Sequence, residues 1–301
     1  MDPARHYRLL YFSGTGNTHW VFSRLAQALE ARGATVALQP VDQLLADCGQ
    51  GPTGEASDQA LQERLAGFVG SAGTLLLGYP VYESTIPRPM RRLIPLLPEG
   101  VGTRLGVVCT YMMAGGDCCH LPEAELEPRG YRSVLATYVK MPNNIKFPAL
   151  RYFPIHNGDE LQPFADQAAQ AVQRIADDLV LDQRHIEGRS IADHLLGVSQ
   201  RWSEKLVSDY VNGHLFATAR CTRCKLCGES CPMGNIHFDH GYPEFGQSCC
   251  DCMRCYHGCP VSAIQLGEGT MDEAAYPRYR GMGGWKPPRL RSISRSHSAE
   301  G

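Results

Sequence analysis

The stretch Cys221–Pro232 reads CTRCKLCGESCP, and 28 residues further on Cys249–Pro260 reads CCDCMRCYHGCP. Few patterns limit a fold as much as the spacing C-x-x-C-x-x-C-x-x-x-C-P written twice. Nine of the thirteen cysteines fall between Cys221 and Cys259. Three cysteines at spacing two-two wrap the backbone around a compact centre, so that each thiolate can ligate a different iron. A tetrahedral zinc site prefers two C-x-x-C pairs separated by about a dozen residues or more. The N-terminus, MDPARHYRLLYFSG, lacks the charged start, long apolar run and small-residue cleavage site of an export signal, which predicts a cytoplasmic, reducing setting. There metal ligation is a better reading than disulfides. Zinc, or a disulfide knot, is the alternative.

With the fourth cysteine of each half followed by proline, residues 217–268 resemble the two-cluster bacterial-type ferredoxins. On that resemblance Cys221, Cys224, Cys227 and Cys259 would hold one [4Fe–4S] cluster. Cys249, Cys252, Cys255 and Cys231 would hold the second, so each half would lend a ligand to the other. Ile236 and Ile264 sit at equivalent places in the halves. The family favours a small residue before that isoleucine, which Ala263 satisfies and Asn235 does not. Cys250 is a spare beside a ligand.

Upstream, short apolar runs alternate with amphipathic stretches. Candidate strands are Tyr7–Ser13, Thr35–Val41, Thr74–Val81, Arg104–Tyr111 and Tyr131–Val139. In the helical pattern Asn17–Arg32, Val21, Leu25, Ala28 and Leu29 share a face, with Asn17 or Thr18 as a cap and Gly33 as a stop. Strands alternating with helices imply right-handed βαβ units and a parallel sheet covered on both faces. Pro163–Leu181 reads as the last helix of this domain and Ile186–Leu215 as a connecting helix. From residue 269 the chain turns to Gly, Pro, Ser and Arg and is expected to be disordered.

SGTGNT (Ser13, Gly14, Thr15, Gly16, Asn17 and Thr18) lies between a strand and a helix. Turn glycines, hydroxyls and amides at a helix start form an anion nest. No Lys-Ser/Thr pair follows, and His19 stands where a dinucleotide fingerprint needs its third glycine. A monophosphate held by neutral donors fits, and a plain strand–helix turn is the alternative. Two later loops join it at the switch point of a sheet of order 2-1-3-4-5. They are GYPVYESTIP, with Pro80, Val81 and Tyr82, and TYMMAGGD, with Tyr111, Gly115 and Gly116. Tyr82 and Tyr111 could stack on a planar ring.

Together residues 1–182 resemble a flavodoxin, which implies FMN, its phosphate at Ser13–Thr18 and its ring at the two later loops. The order of the whole, with 183–216 as connector, is similar to the fused flavodoxin–ferredoxin proteins called ferrodoxins. MPNN (Met141–Asn144) is also similar to that family and would close over the flavin. The fold class implied is an α/β five-stranded parallel sheet plus a small α+β two-cluster domain. The function implied is electron transfer between FMN and two [4Fe–4S] clusters.

Two other readings stay open. One is a flavin-dependent reductase of a small substrate fed by its own clusters; the other is a cluster-dependent redox sensor. No acid or base for catalysis is evident, and Cys118, Cys119 and His120 form no oriented pair in the sequence. His185, His194 and His214 have no metal spacing. A net charge of -2 argues against nucleic acid, and no apolar run reaches the roughly 18 residues of a membrane span. The implied partner is a redox protein or a small-molecule donor or acceptor.

Overall fold

The computed structural model describes residues 5–49, 58–70 and 73–293. Among the described residues six parallel strands form one sheet in the order β2-β1-β3-β4-β5-β6. They are β1 (His6–Tyr11), β2 (Thr35–Pro40), β3 (Thr74–Pro80), β4 (Arg104–Tyr111), β5 (Arg132–Lys140) and β6 (His185–Ile186). The central strands β3, TLLLGYP, and β4, RLGVVCTY, are buried almost throughout, as a parallel sheet covered on both faces requires.

Side-chain alternation divides β1 between two cores. Tyr7, Leu9 and Tyr11 join α1 (Asn17–Glu30) and the later helix α6 (Gln162–Val180) on one face. Leu10 and Phe12 face the other way, onto α2 (Val41–Asp47), α3 (Asp58–Val69) and α4 (Arg88–Leu93). The short α5 (Glu123–Leu126) leads into β5. Helix α6 (Gln162–Val180) buries Ala168, Val172, Ile175, Ala176 and Leu179, a stripe at helical spacing.

The sixth strand departs from the five expected. It has only two residues, too few for any alternation to show, and pairs Leu135 with His185 and Ala136 with Ile186. Glu187 then finishes the edge: its carboxylate accepts from Thr137 Oγ1 at 2.9 Å and from the Tyr138 amide at 3.1 Å. This strand and the cap Ser190 occupy the first residues expected of the connecting helix. Ser190 Oγ accepts from the Asp193 amide at 3.1 Å and Asp193 Oδ2 accepts from the Ser190 amide at 3.1 Å, so α7 spans Ile191–His214.

The cysteine-rich segment is not a separate α+β domain, which corrects that part of the fold expectation. It comprises a two-stranded antiparallel pair, β7 (Leu215–Ala217) with β10 (Ile264–Leu266), and a second, β8 (Ile236–His237) with β9 (Glu244–Phe245). Helices α8 (Leu226–Ser230) and α9 (Arg254–Gly258) pack on each other. Its 28-residue repeat is visible in the backbone. Arg223 and Asp251 are left-handed (φ 57° and 55°), as are Lys225 and Met253 (φ 64° and 55°). The amides of Arg223 and Asp251 bond Cys221 and Cys249 Sγ, and those of Asn235 and Ala263 bond Cys231 and Cys259 Sγ. Yet Cys250 and Cys252 belong to the same apolar core as Leu10, Phe12 and Tyr79.

The segment expected to be disordered is placed as far as residue 293, and 294–301 lie outside the described residues. Its anchors are few but deep. Arg278 donates to Ile264 O at 2.8 Å and lies over the Tyr256 ring at 3.4 Å. Met282 joins the α1–α6 core, and Leu290 is buried. Among the described residues no helix is long and apolar enough to cross a membrane.

Candidate functional site

A cavity of about 570 Å3 opens at the carboxyl end of the sheet, where strand order reverses between β1 and β3. Ser13, Gly14, Thr15, Asn17 and Thr18 form one wall. Pro80, Val81, Tyr82 and Tyr111 form another. Three residues expected here are elsewhere. Gly16 faces Trp285, Gly115 lies against Tyr138, and Gly116 lies against Ser84 and Gly197.

The phosphate-type loop is held from behind. Arg254 is fully buried, donates to Ser13 O at 2.6 Å and Gly14 O at 3.2 Å, and meets Asp42 Oδ2 at 2.6 Å. It also donates to Ser230 O at 2.9 Å. With the loop carbonyls engaged behind, α1 starts at Gly16, in a left-handed conformation (φ 103°), without a side-chain cap. The amides of a first helical turn have no carbonyl partner within their helix. Buried Asn17 and Thr18 stand beside them, and no acidic residue occupies the turn. Such a start attracts an anion.

Further bonds set the remaining loop side chains. Thr18 Oγ1 and Thr110 Oγ1 are 2.8 Å apart. Asn17 donates to Pro142 O at 3.0 Å and accepts from the Tyr279 hydroxyl at 2.6 Å. Asn144 donates to Thr15 Oγ1, so the MPNN segment closes on the same loop. A Cβ on Gly14 would lie 2.4 Å from the Tyr82 hydroxyl and 2.7 Å from Cys252 O. That Tyr82 hydroxyl is buried and has no hydrogen-bond partner among the described residues.

The loop after β3 turns at Tyr82–Thr85, where the Thr85 amide donates to Tyr82 O at 2.8 Å. Its two central residues, Glu83 and Ser84, are both left-handed (φ 46° and 52°) although neither is glycine. Each such residue stores about 1–2 kcal/mol. The turn sets Glu83 in the cavity wall, where burial, with Asp251 and Glu204 adding to it, pushes its carboxyl up to about 7. Burial likewise pushes Asp251, on the same wall, up to about 6 against the pull of Arg88. The Tyr111 ring packs edge-on against Tyr138 at 5.7 Å.

Sequence reasoning missed Glu83 as a titrating group and, apart from Met141–Asn144, missed the residues that cover the cavity. Gln200, Ser203, Leu206 and Tyr210 reach the cavity from α7, and Asp251 and Met253 from the cysteine-rich segment. Cys118, Cys119 and His120 lie outside its walls. His120 does find an acidic partner, Glu123 at 2.9 Å, which is itself bound by Arg189 at 2.7 Å. His194 bonds Asp117 at 2.9 Å, and His214 stacks on Tyr210 at 4.1 Å.

The cysteines gather in two places. Cys221, Cys224, Cys227 and Cys259 border one cavity; Cys231, Cys249, Cys252 and Cys255, with Cys250, border another. Among the described residues no group of three or more His, Cys, Asp or Glu is placed to hold a metal ion. This overturns the expectation of two [4Fe–4S] clusters, and with it the ferrodoxin reading and electron transfer between flavin and clusters. A repeat spacing brings thiols to one region; it does not by itself aim them at one point. All thirteen cysteines are free thiols.

No family model matches the sequence, and no curated protein does. Among solved structures the chain is similar to a rubredoxin oxygen:oxidoreductase from Desulfovibrio gigas (17% identity, 58% of this chain and 37% of that one, TM-score 0.35). It thus spans little more than a third of that protein. It is also similar to a short-chain flavodoxin associated with a non-canonical PDU bacterial microcompartment (14%, 59% and 98%, TM-score 0.38). A third similarity is to an NAD(P)H:quinone oxidoreductase from Methanothermobacter marburgensis (12%, 56% and 95%, TM-score 0.38). At these identities and scores the likeness carries no functional weight; the sheet order and the cavity define an α/β protein with a flavodoxin-like parallel sheet.

Proposed function

We propose that the chain binds FMN in the 570 Å3 cavity and serves as a flavin-dependent reductase of a small substrate admitted beside the ring. The observation that carries this reading is the uncapped, buried start of α1, which forms one wall of a cavity large enough for a mononucleotide. A bound flavin supplies one- or two-electron chemistry. Ser13, Thr15 and Thr18 would hold its phosphate with the first-turn amides of α1. Tyr82 offers a buried hydroxyl that has no partner among the described residues. Gln200, Ser203 and Leu206 would exclude water from above. Glu83, with a carboxyl near neutrality, holds or releases a proton at the wall of the same cavity. The proposed setting is the cytoplasm, which suits thirteen free thiols. A small-molecule or protein electron donor is the partner this reading requires.

The test compares FMN with riboflavin by flavin-fluorescence quenching on protein stripped of cofactor. One FMN per chain is expected, bound at least a hundredfold more tightly than riboflavin, which lacks the phosphate. Equal affinities would remove the phosphate loop from the reading, and no binding of either would sink it.

A further inference from the structure

A second large cavity, of about 610 Å3, lies on the other side of the Ser13–Thr18 loop, and Thr15 belongs to the walls of both. Its lining brings together elements that are far apart in sequence: α8, α9 and the returning segment that carries Tyr279 and Trp285. Among the described residues four cationic side chains line it, Arg254, Arg280, Lys286 and Arg289, and no carboxylate does.

Their charges are not equally committed. Arg254 is neutralised by Asp42, and Arg289 meets Glu229 at 3.3 Å. Arg280 and Lys286 are exposed and make no ion pair among the described residues. His257 does not alter the balance. Its ring bonds Asn144 O at 2.7 Å, and its Nδ1 accepts from the Tyr279 amide at 3.0 Å. An acceptor at Nδ1 makes the ring neutral, with Nε2 as the donor.

The cavity is therefore of mononucleotide size, with aromatic side chains in its wall and two uncommitted cations. Apolar aromatic surface next to unpaired cations suits a planar or ring-bearing body that carries an anion. From this we infer that the cavity is a second ligand site, for a phosphate monoester on a body the size of a nucleoside or sugar. It is separate from the flavin cavity and does not depend on the flavin reading.

Calorimetric titration of AMP tests it, on protein saturated with FMN and on protein without added flavin. Adenosine and ribose 5-phosphate serve as companion probes. One AMP per chain is expected in both preparations, with adenosine at least tenfold weaker. The double variant Arg280→Glu, Lys286→Glu is expected to weaken AMP about a hundredfold, roughly tenfold for each charge-assisted contact. FMN affinity should stay within twofold, because neither residue lines the flavin cavity. Should charge reversal unfold the chain, the pair Arg280→Gln, Lys286→Gln serves instead, with a loss of about tenfold expected. Ribose 5-phosphate binding as well as AMP would assign the site to sugar phosphates, and AMP alone to mononucleotides. No binding of either phosphate, equal affinity for adenosine and AMP, an unaffected variant, or competition between AMP and FMN would each overturn the inference.

Discussion

Arg254 keeps its guanidinium where water does not reach, with Asp42 on one side and three backbone carbonyls around it. Removing one partner of such a pair leaves the other charge buried and uncompensated. Arg254→Met is expected to lower stability by about 3–5 kcal/mol in urea unfolding, and to loosen the Ser13–Gly14 carbonyls that it holds. Glu83 gives a pH signature. Its carboxyl rises from the ordinary 4.5 to about 7 on folding, so between those values the folded chain binds more protons than the unfolded one. Stability from this group is full below pH 4.5 and falls as pH rises to about 7. Glu83→Gln should flatten that part of a plot of urea midpoint against pH; an unchanged slope would assign the titration elsewhere. Neither residue stands out in the sequence. Arg254 is one arginine of a cysteine motif until folding places it behind a loop some 240 positions away.

Among the elements, α1 and α7 do most to form the cavity proposed for the flavin. Gly16 opens α1 in a conformation that side chains rarely adopt, and a Cβ there would lie 2.8 Å from Trp285. Gly16→Ala should cost about 1–2 kcal/mol for the backbone alone and weaken FMN binding, measured by flavin titration. Helix α7 begins with the Ser190–Asp193 capping box, so Ser190→Ala should lower stability by about 1 kcal/mol in thermal or urea unfolding. The central strands were legible because β3 and β4 are continuous apolar runs in a chain that alternates strand and helix. Strand β6 was not, since two residues carry no period, and its pairing is fixed by Glu187 closing the sheet edge. Asn235 departs from the small residue that the ferredoxin resemblance favours before Ile236. In the structure its amide donates to Gly246 O at 3.0 Å and accepts from the Ser248 amide at 2.8 Å, tying the open end of the β8–β9 pair, opposite its turn.

At the scale of the molecule, one parallel sheet carries a cavity with one wall legible in SGTGNT and a roof that, apart from Met141–Asn144, was not. The roof residues Gln200, Leu206 and Asp251 owe their place to packing between distant segments, which no local motif encodes. Cysteine spacing misled in the opposite direction, because a pattern that names a ligand set does not fix the approach of its sulfurs. Composition misled again after residue 269, where glycine and proline hide the anchors Arg278, Tyr279 and Met282. A chain stopped after Gly267 should therefore lose thermal stability and FMN affinity together, whereas an unattached tail would leave both unchanged. The bond from Tyr279 to Asn17 also sets an order of events. Its partners are 262 positions apart, so a nascent chain still threaded through the ribosome has made the loop but not what steadies it. Completion of the Ser13–Thr18 loop then waits for the synthesis of Tyr279, and a cofactor that needs the finished loop would be taken up only after that.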